Sequence, residues 1–227
     1  WSSDVCSSDL SPIGVFCLMS WVVAAQGPKI LGSLGLVLLA AYIGYIIHTV
    51  LVYSLSVKVF AGMSPLAFFK GILPAAVFAF TSTSSVASLP VSKECCDEMG
   101  VEKDISSFVL PLGATINMDG TAIYQCVAAI FLAKCIGMEL GLAQMVTIVV
   151  TATLASIGTA GTSGAGMIML AMVLEAVGIP TTYIGIIYGI DRLFDMGRTA
   201  LNVVGDASCA ICVNHWESKA AAKKVAK

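Results

Sequence analysis

Asp191-Arg-Leu-Phe-Asp195-Met-Gly-Arg198-Thr199-Ala-Leu-Asn202-Val-Val-Gly-Asp206 is the stretch that decides the fold. Its polar residues Asp191, Asp195, Arg198, Asn202 and Asp206 are spaced four, three, four and four apart, which is one face of an α-helix. The flanks on both sides are apolar, so the helix is expected inside a membrane. Three carboxylates, a guanidinium and an amide cost several kcal/mol there unless they pair with one another or with a ligand. The stripe therefore reads as a binding site.

Composition supports the membrane setting. Of 227 residues, 58% are hydrophobic and 11% charged, with a mean hydropathy of +0.93, whereas soluble domains carry about 25% charged residues. An all-α, polytopic membrane protein in the cell membrane is expected. The net charge of -2 comes with no basic run of the kind nucleic-acid binding needs. Eight cysteines are scattered and read as small buried apolar residues. Cys209-Ala-Ile-Cys212 has no second pair, so neither a disulfide framework nor a zinc site is expected.

Working outward, the first ten residues (WSSDVCSSDL) lack a starting Met and break in composition from the apolar run after them; they read as non-native read-through. Residues 11–26 are short for a span of about 20 residues and read as the end of a helix. Ile30 to Phe60 is long enough to cross with tilt. Its His48 reads as packed or interfacial. Pro65 to Phe80 is short and runs into Thr81-Ser-Thr-Ser84-Ser85, a polar tip between apolar arms that suggests a re-entrant hairpin, with a surface loop as the plain alternative. Lys93 to Asp104 reads as a solvated loop. Ile105 to Ile136 is interrupted at Gly113-Ala-Thr115-Ile-Asn117-Met-Asp119-Gly-Thr121, where a broken helix frees carbonyl oxygens beside a carboxylate, as in cation-coupled transporters; a kink held by Asn117 is the alternative. Leu140 to Val177 repeats the arm, tip, arm pattern around Gly158 to Gly166, and paired interrupted segments point to a transporter's midplane site. Gly178-Ile-Pro180 opens the last helix, expected to end near Trp216. The basic tail 217–227 places the C-terminus in the cytoplasm by the positive-inside tendency.

These pieces resemble the dicarboxylate/amino acid:cation symporter family, the glutamate transporters and their prokaryotic relatives. The motifs are the Ser-rich tip ending in Leu89-Pro90, Asn117-Met-Asp119-Gly-Thr121, Ser156-Ile-Gly-Thr159-Ala-Gly161 and Asp195-Met-Gly-Arg198-Thr199 through Asn202 to Asp206. The resemblance implies an elevator-type secondary transporter, a homotrimer when full-length, with two re-entrant hairpins and interrupted helices. It makes residues 11–26 the end of a scaffold helix and 27–216 a transport domain lacking one of its helices.

The resemblance also assigns roles. Arg198 would take a substrate's side-chain carboxylate and Asp195 its amino group; Asn202, Thr121, Thr199 and Ser84 or Ser85 would hold the α-carboxylate, with Thr162 and Gly166 completing the substrate site. Sodium would be held by Gly113, Asn117, Asn202 and Asp206 at one site, by Thr115, Ser156, Ile157 and Thr159 at a second, and in part by Asn117 and Asp119 at a third; protons remain an alternative. Thr162-Ser163 replaces the apolar residue and Pro found in many members, and Val86 replaces an Asn common in bacterial ones. Having both Arg198 and Asp195 favours glutamate or aspartate over a C4-dicarboxylate or a neutral amino acid. An enzyme is not expected: a hydrolase would need a base near Ser163, and His48 and His215 are far away in sequence. A channel fits poorly with paired substrate groups on one helix.

Overall fold

The computed structural model describes residues 29–225 apart from Ala160 and Ser163, together with Phe16, Ser20, Ala24 and Gly27. The expectations for 1–10 and most of 11–26, and for Ser163, lie outside the described residues. No strand occurs among those described. Helix α1, Lys29–His48, continues through two wide π turns, Thr49–Tyr53 and Val57–Ala61, on either side of Ser54–Ser56. Gly62, in the left-handed conformation at φ +68, ends it.

Two helical hairpins match the pattern expected of the two polar tips. In the first, α2 (Pro65–Ser82) and α3 (Ser85–Glu98) are joined by Thr83 and Ser84 alone. Thr83 turns the chain at φ +54, and the Ser84 hydroxyl caps α3 by accepting from the Ala87 N–H at 3.2 Å. Helices α4 (Lys103–Ile116) and α5 (Asp119–Cys135) are the two halves of the interrupted span, broken at Asn117 and Met118. The second hairpin is α6 (Leu142–Ile157) and α7 (Ala165–Ala176), joined through the Gly-rich tip. A short helix, α8 (Ile184–Tyr188), precedes the long α9 (Asp191–Val225).

Helix α9 is the axis of the molecule. It packs against α1, both arms of the first hairpin, α4 and α5, and every residue from Leu201 to Ser208 is buried. The outer helices keep apolar faces exposed: Leu36, Leu39, Ile43, Ile47 and Leu51 on α1 are examples. Gly32–Ala61, Pro65–Ser82 and Lys103–Cys135 are long and apolar enough to cross a membrane, which accounts for a surface that water would not tolerate.

Four expectations need correction. Lys93 to Asp104 is not a loop: α3 runs on to Glu98 and α4 begins at Lys103. The charged residues concealed a helical repeat whose Ser88, Ser92, Cys95 and Cys96 face inward; Gly100, at φ +89, lies in the short connection. The last helix starts at Asp191 rather than Pro180, since the chain breaks after α8, and an acid in a first turn suits the helix dipole. That helix passes Trp216 and includes the basic tail to Val225. Finally, Cys95, Cys96 and Cys212 are buried as expected, but Cys209 is exposed.

Phe68 on α2 is fully buried while Leu66, two residues earlier, is 82% exposed. Phe68→Ala should lower the stability of the full-length parent in detergent by about 3 kcal/mol, and Leu66→Ala should leave the thermal midpoint unchanged.

Candidate functional site

The polar stripe of α9 faces inward along its whole length: Asp195, Arg198, Asn202 and Asp206 are each 2–3% exposed. Arg198 donates from Nε to Asp195 Oδ1 at 2.9 Å, and its Nη1 lies 3.6 Å from Asp191 Oδ1. The guanidinium also rests on the ring of Tyr124, with Cζ 4.8 Å from the centroid. Thr199 donates its hydroxyl to Asp195 Oδ1 at 3.3 Å, and the Gly164 N–H of the second tip reaches Asp195 Oδ2 at 3.1 Å.

The two hairpin tips close over this pair. Gly161 O accepts from the Ser84 hydroxyl at 3.2 Å and from the Val86 N–H at 3.3 Å. Beneath them is a cavity lined by Ser85, Thr121, Thr162, Gly166, Asp195, Arg198, Thr199 and Asn202, all expected, and by Thr83, Met118, Thr159 and Gly161. Its free space of about 10 Å³ fits one water. A larger ligand requires the two tips to separate. Ser84 does not line the cavity; it is spent on the cap of α3 and on Gly161.

The cavity carries more donors than strong acceptors. Arg198 Nη1 is buried with no hydrogen-bond partner. Thr121 Oγ1 and Asn202 Nδ2 both point at the thioether of Met118, at 3.7 and 3.1 Å, and a thioether is a weak acceptor. Donors held this way are available to a carboxylate. The Asn202 Oδ1, by contrast, is fixed by the Gly120 N–H at 2.8 Å.

Of the expected cation groups, one comes together. Asn117 Nδ2 donates to Asp206 Oδ1 at 2.9 Å and to Asn202 O at 3.4 Å, and a carbon added at Gly113 would lie 2.5 Å from Asp206 Oδ1. Asp206 is 3% exposed, and among the described residues no cationic side chain pairs with it. A buried carboxylate with a single neutral amide donor, which it shares with the Asn202 carbonyl, fits a hard cation. The second group is not joined by hydrogen bonds: Thr115 and Ile157 are exposed, and the hydroxyls of Thr115, Ser156 and Thr159 turn back onto their own helices. Asp119 meets α1, where Tyr53 donates to its Oδ2 at 2.9 Å and His48 Nε2 lies 3.2 Å from the same oxygen.

The sequence reading therefore missed His48 and Tyr53 as partners of Asp119, Asp191 and Tyr124 as partners of Arg198, and Met118 as a cavity wall. Asp191 lay on the same helical stripe and was the one legible from spacing. The others depend on contacts between distant helices.

The profile of the Sodium:dicarboxylate symporter family matches residues 7–216. The chain belongs to this family. Among the chain's relatives, excitatory amino acid transporter 2 of Homo sapiens is 42% identical over 208 residues, 90% of this chain and 36% of the relative. Neutral amino acid transporter A of Homo sapiens is 41% identical, covering 93% and 40%, and neutral amino acid transporter B(0) of Oryctolagus cuniculus is 42% identical, covering 91% and 39%. The chain thus spans about two-fifths of the length of these relatives, and their names alone divide between excitatory and neutral substrates.

Close helix contact underlies the site. A carbon added at Gly120 would lie 2.5 Å from Arg198 O and 2.8 Å from its Cα, backbone atoms that cannot swing aside, whereas Gly35 has nothing within 4 Å. Gly120→Ala should destabilise the full-length parent by about 1–3 kcal/mol; Gly35→Ala should not, with thermal unfolding as the measurement.

Proposed function

We propose that the whole protein is a symporter coupling uptake of an acidic amino acid, glutamate or aspartate, to sodium, and that this chain carries its substrate and cation sites. The observation that carries the reading is one cavity containing both Asp195 and a surplus of donors. Arg198 Nη1 has no hydrogen-bond partner, and Thr121 and Asn202 rest on a sulfur. An acidic amino acid satisfies all of them: its two carboxylates take the Arg198 fork and the Thr121 and Asn202 donors, and its ammonium takes Asp195.

A C4-dicarboxylate would satisfy the donors and leave Asp195 facing a second negative charge. A neutral amino acid would leave Arg198 Nη1 without a hydrogen bond in a buried site, which costs about 1–3 kcal/mol. Both are disfavoured by the same pair of residues.

Gly113, Asn117, Asn202 and Asp206 would hold sodium, which supplies the positive charge that lets Asp206 stay ionised away from water. The remaining steps belong to the chain itself. Asp195 and Arg198 release one another to the substrate, Gly161 and Gly164 return to Ser84 and Asp195, and the closed tips exclude water. With its charges neutralised, the domain formed by residues 27–216 can move across the bilayer as a body, in the manner of an elevator, against a trimeric scaffold to which residues 11–26 belong. The C-terminus lies in the cytoplasm in this arrangement.

In the full-length parent in vesicles, Arg198→Cys should weaken uptake of labelled aspartate roughly tenfold to a hundredfold and open the site to neutral amino acids; unchanged aspartate affinity would refute the substrate assignment. Asp206→Asn should reduce the dependence of aspartate binding on sodium. Wild-type sodium dependence in that variant would refute the cation site.

A further inference from the structure

We infer that Met167 is a positioning residue for the substrate arginine: its sulfur holds the hydroxyl of Tyr124, so the second hairpin, when closed, fixes the ring on which the Arg198 guanidinium rests. The inference builds on the acidic substrate proposed above and adds how hairpin closure reaches the arginine.

Met167 lies in the first turn of α7, directly after the tip. It is 7% exposed, and the Tyr124 hydroxyl donates to its Sδ at 3.0 Å. Tyr124 is fully buried and held between two groups of α9: Arg198 lies over its ring, and Phe194 packs against it with centroids 5.1 Å apart. The neighbouring Gly166 lies against the guanidinium so closely that an added carbon would be 2.5 Å from Nη1. Gln125 donates to Gly166 O at 3.5 Å. The first turn of α7 thus meets Arg198 twice, directly at Gly166 and through Tyr124 at Met167.

The choice of acceptor gives the contact a consequence. A thioether is weak, and a carboxylate oxygen outcompetes it when both are in reach. Asp191 is the other acceptor facing that hydroxyl, and its Oδ1 has no hydrogen bond while it sits 3.6 Å from Arg198. In the closed hairpin the hydroxyl is shared: it donates to Met167 Sδ while Asp191 stays within reach of the same oxygen, so the carboxylate is divided between the hydroxyl and the arginine. When α7 withdraws, the sulfur leaves with it and Asp191 remains as the sole acceptor at that hydroxyl, which changes both the ring and the counter-charge of Arg198. Closure and arginine placement are then one event.

The test uses the full-length parent and three variants: Met167→Leu, which keeps the volume and removes the acceptor; Tyr124→Phe, which removes the donor; and Met167→Gln, whose amide oxygen restores an acceptor. Affinities for L-aspartate and for L-asparagine, which lacks the side-chain carboxylate, are measured in sodium. Met167→Leu and Tyr124→Phe should each lower the aspartate affinity roughly three- to tenfold with asparagine unchanged, the double variant should be no worse than either, and Met167→Gln should recover most of the loss. Equal losses for both ligands, additive losses, or no loss would overturn the inference. Hydrogen exchange at the tip, residues 158–166, is read in the same proteins without substrate and should rise in both single variants without rising further in the double. If the parent fails to bind aspartate yet the exchange pattern holds, the substrate assignment falls and the latch stands; if the parent binds aspartate and neither pattern appears, the latch falls alone.

Discussion

Arg198 is held at 3% exposure between two carboxylates of its own helix, Asp191 and Asp195, with an aromatic ring beneath it. Charges this far from water cannot be left unneutralised, and much of the surrounding architecture answers to that constraint. Helix α9 must be enclosed by other helices rather than by lipid, so α1, α4, α5 and the first hairpin wrap it. The second tip must supply a backbone donor, and Gly164 does. Asp206, one turn beyond Asn202, is under the same constraint: among the described residues no cationic side chain pairs with it, and the Asn117 amide of the broken span donates to its Oδ1.

Close backbone approach is what makes this enclosure possible. Gly113 against Asp206, Gly120 against Arg198, Gly161 against Ala114 and Gly205 against Asn117 are points where any larger residue would meet atoms at about 2.5–2.6 Å. They are dispersed over four segments, yet all of them line the same interface between α9, the broken span and the second tip. The breaks at Asn117 and in the two tips serve it too: irregular backbone survives at membrane depth only inside protein or along a polar cavity, and both conditions hold here.

Much of this was legible in the residues. The helical spacing from Asp191 to Asp206 marks one buried face, and the two arm, tip, arm units mark the hairpins, because both depend on local periodicity. The break at Asn117 was legible from the cluster of Asn, Asp and Gly. The helical character of Lys93 to Glu98 was hidden by its charges, since a few exposed acids outweighed the inward-facing Cys95 and Cys96 in a reading by composition. The partnership of His48 and Tyr53 with Asp119 was hidden for a different reason: 71 and 66 residues separate the partners, and the wide π turn that carries Tyr53 has no distinct sequence signature. Nor could spacing show that the Ser84 hydroxyl is spent on a cap and on Gly161 while Ser85 faces the cavity.

The central claim is that one cavity reads two carboxylates and an ammonium together, with sodium required. Calorimetric titration of the full-length parent with L-aspartate, L-glutamate and succinate, each with and without sodium, tests it most directly. The account predicts heat of binding for an acidic amino acid in sodium only, and none for succinate. Binding of succinate alone, or of the amino acid equally well without sodium, would contradict it.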